Sequence, residues 1–474
     1  MKEENILGRD PIKKLLIQFA LPSIFALIIS SLYNIVDQIF IGNSVGMLGN
    51  AATNVAFPLV TICTALALLS GIGGAANFNI SLGRGQNELA RHYIKNSISL
   101  ATIAGFAFTI ITHLYMETFL KTFGATKEIM DYAIEYVSIT SYGFIFLILV
   151  NVGSTLIRAD GAPKFSMYSM VVGAVINLIL DPIFIFVFDM GMAGAAYATV
   201  LGQFFSFLMI VFYFTRHFKS VDLEGKYFEF QLDKIINIAR LGAASGFNQA
   251  AILFVQILMN NFYRYYGSLS EYGANIPLAA VGIVMKVSMV FFCVNIGLSQ
   301  GLQPISSFNY GAKNYDRVVE VYKLAIKYSL IVSSISFIIF QIFPRQIIML
   351  FGGGSDLYFD FAIKLFRIML FFTFLNGAQP VTMGFLTSIG LAKRGILISL
   401  LRQVLLLVPF ALRKPGTGIV INEKRGWLLH LNGVTVCVIF HITFLKPILI
   451  LLKWPSMLKK QPYQHHYYWS NWIV

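Results

Sequence analysis

The sequence predicts an all-α polytopic membrane protein with about twelve transmembrane helices, arranged in two six-helix lobes. The mean hydropathy is +0.71, and only 12% of the 474 residues are charged, whereas a soluble domain carries roughly 25%. Apolar stretches of about 20 residues, the length that crosses a bilayer as a helix, recur along the chain. They do not alternate polar with apolar residues, which excludes an outer-membrane barrel.

The apolar pattern divides the chain into eleven regular spans and a less regular twelfth. They lie near residues 14–40, 52–77, 92–114, 131–157, 166–188, 191–214, 237–262, 276–305, 317–342, 357–387, 394–412 and 428–452. The segment before the first span is polar, and the first apolar run is too long for the core of a cleaved signal peptide. The three cysteines lie in apolar stretches and predict neither a disulfide framework nor a metal site.

Positive charge alternates along the loops that join these spans. Sixteen lysines and arginines fall in the N-terminal segment and the even-numbered loops, and four fall in the odd-numbered loops before the eleventh span. By the positive-inside rule, the N-terminus and the even-numbered loops face the cytoplasm. The net charge of +14 then reflects loops that set topology and contact anionic lipid. Nucleic acid is therefore not expected as a partner.

The two halves of the chain repeat each other. Gly83 in SLGRGQNELARHYIK and Gly311 in NYGAKNYDRVVEVYK occupy equivalent positions at a sequence offset of 228, and Gly161 and Gly390 match at an offset of 229. Each repeat holds six spans, so both begin on the same side of the membrane. They are parallel repeats, related by an axis along the membrane normal, which is an architecture of alternating-access transporters.

This repeat sets the predicted domain organisation. The N-lobe covers residues 1–214, a polar cytoplasmic linker covers 215–236, and the C-lobe covers 237–412. The remaining residues, 413–474, form an aberrant segment that contains the possible twelfth span at 428–452.

The repeat register is lost after Leu412. The chain continues as RKPGTGIVINEKRGW, and all four tryptophans and four of the seven histidines lie beyond this point. One interpretation is a lineage-specific C-terminus with an interfacial aromatic belt. The favoured interpretation is a shifted reading frame or a gene-model error, which the coding DNA would decide.

Two carboxylates lie within the N-lobe spans. Asp37 ends the first span and Asp181 lies in the fifth, where Asn177 precedes it by four residues and so shares its helix face. Carboxylate and amide oxygens are ligands for hard cations, and Thr199 of the sixth span could add a hydroxyl. The same carboxylates could bind a proton instead. The structural alternative for Asp181 is a capped helix end that meets water.

Further polar residues inside the spans are candidates for a substrate cavity, although they could equally join helices to one another. They are Tyr33, Gln38, Asn151, Gln203, Gln256, Asn260 and Lys286. Lys286 could also snorkel to the membrane surface or pair within the C-lobe. No catalytic constellation and no GxxxxGK[ST] phosphate-binding loop occurs in the sequence, so an enzyme is not expected.

Several motifs together resemble MATE transporters, the multidrug and toxic compound extrusion family, in its DinF-like or MepA-like bacterial branch. The resemblance covers about residues 10–412 and rests on LPSI, VDQIFIG, SLGRGQNELA, RADGAPK, NLILDPIFIF, GAAYATVLGQ, LTSIGLAKR and LRQVLLLVP. It implies a V-shaped fold of twelve helices. It also implies a cation site on Asp37, Asn177, Asp181 and Thr199, with Na⁺ as one possible ligand.

The resemblance implies a multi-pass protein of the bacterial cytoplasmic membrane, expected as a monomer, that exports organic cations or amphipathic drugs. Inward flow of Na⁺ or H⁺ would drive export, and no other cofactor is expected. Such an antiporter contributes to antibiotic resistance. Two alternatives stay open: a lipid-linked oligosaccharide flippase of the same superfamily, and a non-functional transporter remnant with a frameshifted C-terminus.

Overall fold

The computed structural model describes residues 5–268, 272, 275–350 and 355–400. This part of the chain is helical between short turns and contains no β-strand. The helices are α1 (Ile6–Arg9), α2 (Ile12–Ser44), α3 (Met47–Gly83), α4 (Asn87–Leu114), α5 (Met116–Thr122), α6 (Lys127–Thr140), α7 (Phe144–Ala159), α8 (Pro163–Pro182), α9 (Gly191–Arg216), α10 (Leu232–Ser268), α11 (Asn275–Gly311), α12 (Tyr315–Ile342), α13 (Pro344–Met349), α14 (Asp356–Met369), α15 (Thr373–Asn376), α16 (Ala378–Ser388) and α17 (Ala392–Leu400).

Nine helical segments of the described residues are long and apolar enough to cross a membrane. They coincide with the first nine predicted spans, which confirms the prediction of an all-α polytopic membrane protein. The predicted tenth span, 357–387, is not one continuous helix but the three helices α14, α15 and α16. The eleventh is described only as far as Leu400, and the possible twelfth span and the segment 413–474 lie outside the described residues.

The interruption of the tenth span repeats an interruption of the fourth. In the N-lobe, a 3₁₀ turn over Ser141–Gly143 separates α6 from α7. In the C-lobe, a turn over residues 370–372 separates α14 from α15, at the repeat offset of 229. The two halves therefore share a local helix distortion as well as a helix order.

The first half of α2 packs within the C-lobe although α2 belongs to the N-lobe. Leu15, Leu16 and Phe19 are fully buried in a cluster with side chains of α11, α12 and α16, among them Leu302 and Phe385. Lipid tails are as apolar as these side chains, so close packing rather than escape from water stabilises such a contact in a bilayer. One helix thus connects the interiors of both lobes.

Glycines let the lobes approach each other at the end predicted to be cytoplasmic. Gly301 of α11 lies against the backbone of Ala20 of α2. Gly73 of α3, the repeat equivalent of Gly301, lies against the backbone of Ile238 of α10. A side chain at either glycine would overlap the opposite helix, so small residues are required at both crossings.

The linker between the lobes is attached to the N-lobe. Its non-helical part, residues 217–231, begins at the half-buried carboxylate of Asp160, which follows α7. This carboxylate accepts hydrogen bonds from the Tyr213 hydroxyl at 2.6 Å, the Ser220 backbone N–H at 2.9 Å and the Lys219 backbone N–H at 3.2 Å. Burial raises the pKa of the Asp160 carboxyl, against the hydrogen bonds from Ser220 and Tyr213, which lower it.

Further along, the linker is attached to α4. The His92 ring lies 2.7 Å from the Glu229 carboxylate through its Nδ1 atom. The backbone N–H of Glu229 donates to Ser99 Oγ at 2.9 Å, and that of Gln231 donates to Asn96 Oδ1 at 2.6 Å. These contacts hold the linker on the N-lobe up to the start of α10.

Candidate functional site

The end of α8 places an acidic side chain in the interior of the N-lobe. Asp181 has an exposed fraction of 0% and Asn177 one of 3%. Proline has no backbone N–H, so Pro182 weakens the regular ladder here, and the chain continues through a π-helical turn over Ile183–Val187. A helix end in contact with water, the structural alternative for Asp181, does not agree with this complete burial.

A second carboxylate reaches the same place from α2. The carboxyl group of Asp37 is 9% exposed and lies within hydrogen-bonding reach of that of Asp181. The Nδ2 atom of Asn177 donates to Asp181 Oδ1 at 3.2 Å. One side-chain oxygen of each of these three residues is buried without a hydrogen-bond donor among the described residues. This cluster therefore holds more oxygen acceptors than the described residues satisfy with hydrogen bonds.

Close packing of α8 on α9 brings a hydroxyl to this cluster. A Cβ atom added to Gly202 of α9 would lie 2.6 Å from the Gly173 carbonyl oxygen and 3.1 Å from the Cβ atom of Asn177. The two helices are antiparallel neighbours joined by a short turn, so Thr199, one turn before Gly202, reaches the level of Asp181. All four predicted cation-site residues thus lie in one region.

Two tyrosines complete the cluster. The hydroxyl of Tyr136, on α6, is hydrogen-bonded with Thr199 and interacts electrostatically with both carboxylates. Tyr33, on α2, likewise interacts with Asp37 and Asp181. Tyr33 was among the predicted cavity residues, but Tyr136 was missed. It stands at the start of a span, and nothing in the local pattern indicates that its partner comes from α9.

The donor set suits protons and hard cations. It combines two carboxylates with an amide oxygen and hydroxyl groups, and all of these are hard oxygen ligands. The described residues contain no group of three or more acidic, histidine or cysteine side chains that could hold a metal ion. What the cluster can do chemically is exchange a proton, or bind a cation such as Na⁺ between the carboxylates.

The other predicted cavity residues are more scattered. Gln38 is half-buried beside Asp37, and Gln203 lies against Gly143 with an Oε1 atom that has no donor among the described residues. The amide of Asn151 donates to the Leu147 carbonyl of its own helix at 2.8 Å.

The remaining candidates are in the C-lobe. Lys286 is exposed on α11. The side chains of Gln256 and Asn260, on α10, lie outside the described residues. The assignment of all seven candidates to a substrate cavity stays a prediction.

The sequence matches the MatE family twice, over residues 22–183 and 244–412. The second match ends at the residue after which the internal repeat loses its register. Similar proteins include the multidrug export protein MepA of Staphylococcus aureus, 23% identical over 409 residues, which cover 86% of this chain and 89% of MepA. The probable multidrug resistance protein YoeA of Bacillus subtilis is 22% identical over 77% of this chain and 78% of its own length.

Solved structures of MATE proteins share the fold. A multidrug resistance MATE family transporter of the MOP superfamily, in an outward-facing conformation, aligns with a TM-score of 0.85 and 23% sequence identity over 97% of this chain and 99% of its own. A MATE protein in a straight conformation aligns with the same TM-score and identity over 96% and 99%. The two family matches, placed on an all-helical polytopic fold, identify the chain as a member of the MatE family of membrane transporters.

Proposed function

We propose that this protein is a secondary active multidrug efflux antiporter of the bacterial cytoplasmic membrane, with its N-terminus in the cytoplasm. It would export organic cations and amphipathic drugs in exchange for Na⁺ or H⁺. The similarity to the multidrug export protein MepA and the probable multidrug resistance protein YoeA supports drugs as substrates. The cluster around Asp37 and Asp181 supports the coupling by a cation.

The contact between two buried carboxyl groups is the observation that carries the proposal. Asp37 and Asp181 lie within hydrogen-bonding reach of each other in an interior that excludes water. Two carboxylates so close cannot both remain charged without compensation. A shared proton or a cation between them removes the repulsion, and the site then releases that ion when its surroundings change. Such a site suits an exchange of one cation for another.

α2 offers a mechanical connection between this site and the lobe interface. Asp37 lies in its second half, whereas Leu15 and Phe19 in its first half pack within the C-lobe. Pro22 lies between them and removes one backbone hydrogen bond, which allows the helix to bend there. Ion binding at Asp37 would therefore alter how α2 sits between the lobes and so the cavity that faces the substrate.

Efflux from proteoliposomes tests the proposal. Purified protein is reconstituted with ethidium as substrate, and efflux is measured under a Na⁺ gradient alone and under a proton gradient alone. We expect one of the two gradients to drive efflux. Asp181→Asn should abolish the gradient-driven part, because it removes one of the two carboxylates, while Asp131→Asn should transport like the wild type because Asp131 is an exposed carboxylate of the same lobe.

Two outcomes would contradict the proposal. If neither gradient drives efflux by a wild-type protein that is folded and monodisperse, the chain is not an antiporter for this class of substrate. If Asp181→Asn retains full gradient-driven efflux, the antiporter couples through residues other than this cluster.

A further inference from the structure

A small cavity with polar and apolar walls lies between the two lobes, away from the carboxylate cluster. Its walls come from α3 and α7 of the N-lobe and from α11 and α16 of the C-lobe. Ala75 and Asn79 of α3 are among its lining residues, and so are Gln303 and Ser307 of α11, their equivalents in the second repeat. The cavity therefore lies on the axis that relates the two repeats. It is about the size of one water molecule.

One wall of this cavity carries a buried positive charge. Arg158, in the last turn of α7, is 7% exposed. Its Nη1 atom donates to Ser154 Oγ at 2.9 Å and to Ser166 Oγ at 3.0 Å, and its Nη2 atom donates to Thr155 Oγ1 at 2.9 Å. These are neutral hydroxyl groups. The repeat equivalent of Arg158, at the offset of 229, is Thr387, so the charge belongs to one lobe alone.

Arg158 has no counter-ion in the part of the chain that the structure describes. None of the ion pairs there involves it. A guanidinium does not lose its proton in a protein, so it cannot escape the cost of burial by becoming neutral. A buried charge without a partner is strongly destabilising, and three hydroxyl contacts satisfy hydrogen bonds without cancelling the charge. An anion from solution would cancel it.

The other lining residues can supply donors to such an anion. Asn79, Gln300 and Gln303 place three carboxamide groups around the cavity, and no carboxylate lines it. The Oδ1 atom of Asn79 is buried without a hydrogen-bond partner among the described residues. A carboxamide can present its NH₂ group instead by rotating about the terminal bond, which would turn this oxygen away and add a donor.

We propose that this cavity binds one small monovalent anion of the size of chloride, held by the Arg158 guanidinium and the surrounding carboxamides. A cavity of about the size of one water molecule is too small for sulfate or phosphate, so a monatomic ion is the anion that fits it best. A water molecule would fill the same space but would leave the positive charge uncompensated.

Because the site lies between the two lobes, it forms only in some arrangements of the lobes. Asn79 and Arg158 belong to the N-lobe, whereas Gln300 and Gln303 belong to the C-lobe, so the site is complete only while the lobes are in contact. A ligand that binds one arrangement in preference to another shifts the population towards it. The anion therefore stabilises the arrangement with this end closed and leaves when the lobes separate.

Bromide, which scatters anomalously, tests the site directly. Crystals of the full-length protein are grown in sodium bromide, and we expect an anomalous difference peak in the cavity next to the Arg158 guanidinium. Arg158→Gln should lose the peak. Arg84→Gln should keep it, because Arg84 is an exposed arginine at the same end of the N-lobe. A cavity that contains only water, or is empty, in wild-type crystals would overturn the proposal.

Thermal unfolding gives a second readout that does not need transport. Chloride is replaced by gluconate at constant Na⁺ concentration and constant ionic strength, so that the carboxylate cluster experiences no change. The wild-type unfolding temperature should rise with chloride and then saturate. Asp181→Asn should keep this response, which separates failure of the anion site from failure of the proposed antiport.

A second variant tests the proposal even if Arg158→Gln does not fold. Gln303→Glu places a negative charge in the lining of the same cavity and should compensate Arg158 internally. We expect this variant to fold and to lose the chloride-dependent shift. An undiminished chloride response in Gln303→Glu would contradict the proposal, since it would place the chloride effect elsewhere on the molecule.

Discussion

Gly83 and Gly311 occupy equivalent positions of the two repeats, and each packs against the backbone of the other's helix. A Cβ atom on Gly83 would overlap the carbonyl oxygen of Phe308, and one on Gly311 would overlap the carbonyl oxygen of Ile80. The two carbonyls are separated by the same sequence offset as the two glycines. This reciprocal contact on the repeat axis brings α3 and α11 together where the lobes close.

Gly311→Ala should weaken closure of the lobes at this end. The new methyl group meets backbone rather than a movable side chain, and overpacking of this kind costs about 1–3 kcal/mol. Cys293 of α11, which is 5% exposed and faces α2, reports the change. In a background with Cys63 and Cys437 replaced by serine, Cys293 should react faster with a maleimide. Gly282→Ala is the matched control on the same helix, because a Cβ there meets nothing within 4 Å. Equal reactivity of the two variants would contradict the prediction.

Ser31→Cys should allow the lobes to be locked together. Ser31 Oγ of α2 lies 3.2 Å from Cys293 Sγ of α11, so a cysteine at position 31 needs only a small adjustment to form a disulfide. Under mild oxidation we expect a cross-link and loss of ethidium efflux, with recovery after reduction. The double variant Ser31→Cys, Cys293→Ser should show neither effect. Full transport by a completely cross-linked protein would mean that this contact does not open during the cycle.

Tyr136→Phe should weaken ion binding without removing transport. It deletes the hydroxyl that is hydrogen-bonded with Thr199 beside the two carboxylates. A neutral hydrogen bond contributes about 1 kcal/mol, which corresponds to a rise of roughly fivefold in the half-saturating concentration of the driving ion. The maximal efflux rate should change little. Tyr132→Phe, one helical turn earlier, serves as the control, and the same rise in both variants would argue against a specific role for Tyr136.

Asp160→Asn should loosen the linker and remove a pH dependence. In the variant an NH₂ group replaces one of the two carboxylate oxygens and faces a group that also donates. The hydrogen bond lost there should lower the stability of the linker contact by about 1–3 kcal/mol. Burial raises the pKa of Asp160 in the folded protein. Stability from this group is therefore fully present below the unfolded pKa of about 4 and is lost as pH rises through the raised folded value.

Hydrogen exchange of the linker amides, corrected for the intrinsic rate, measures both effects. Protection of residues 217–231 in the wild type should fall as pH rises from about 4 towards neutrality, because Asp160 becomes ionised in its partly desolvated position. The Asp160→Asn variant should be less protected and should lack this slope. Asp222→Asn, an exposed position of the linker, should follow the wild type. An identical slope in Asp160→Asn would assign the pH dependence to another group.

Hydropathy was sufficient to predict the first nine spans, because a span needs only a sustained apolar stretch. It could not predict the break between α14 and α15. Residues 370–372 read Leu-Phe-Phe, with neither proline nor glycine to mark an interruption. The break depends on packing that involves the whole C-lobe, and a local pattern does not contain that information.

The candidate site was predicted in part for a similar reason. Asn177 and Asp181 share a helix face through local spacing, and acidic residues inside apolar spans are conspicuous. Tyr136 is uncharged, and no other polar residue of the cluster lies at helical spacing from it in the sequence. Only the packing of α6 on α9 reveals its position. Arg158 is one of the sixteen lysines and arginines counted in the N-terminal segment and even-numbered loops, because its burial beside α8 and α11 depends on distant parts of the chain.

The attachment of the linker to the N-lobe limits how far the lobes can travel. Fifteen non-helical residues, 217–231, could reach about 50 Å if they were extended and free. Because Asp160, Ser99 and Asn96 hold this segment down to Gln231, the effective tether is the single step from Gln231 to Leu232. The C-lobe is therefore anchored at the base of α10, and rotation about that point is the displacement that the chain permits most easily.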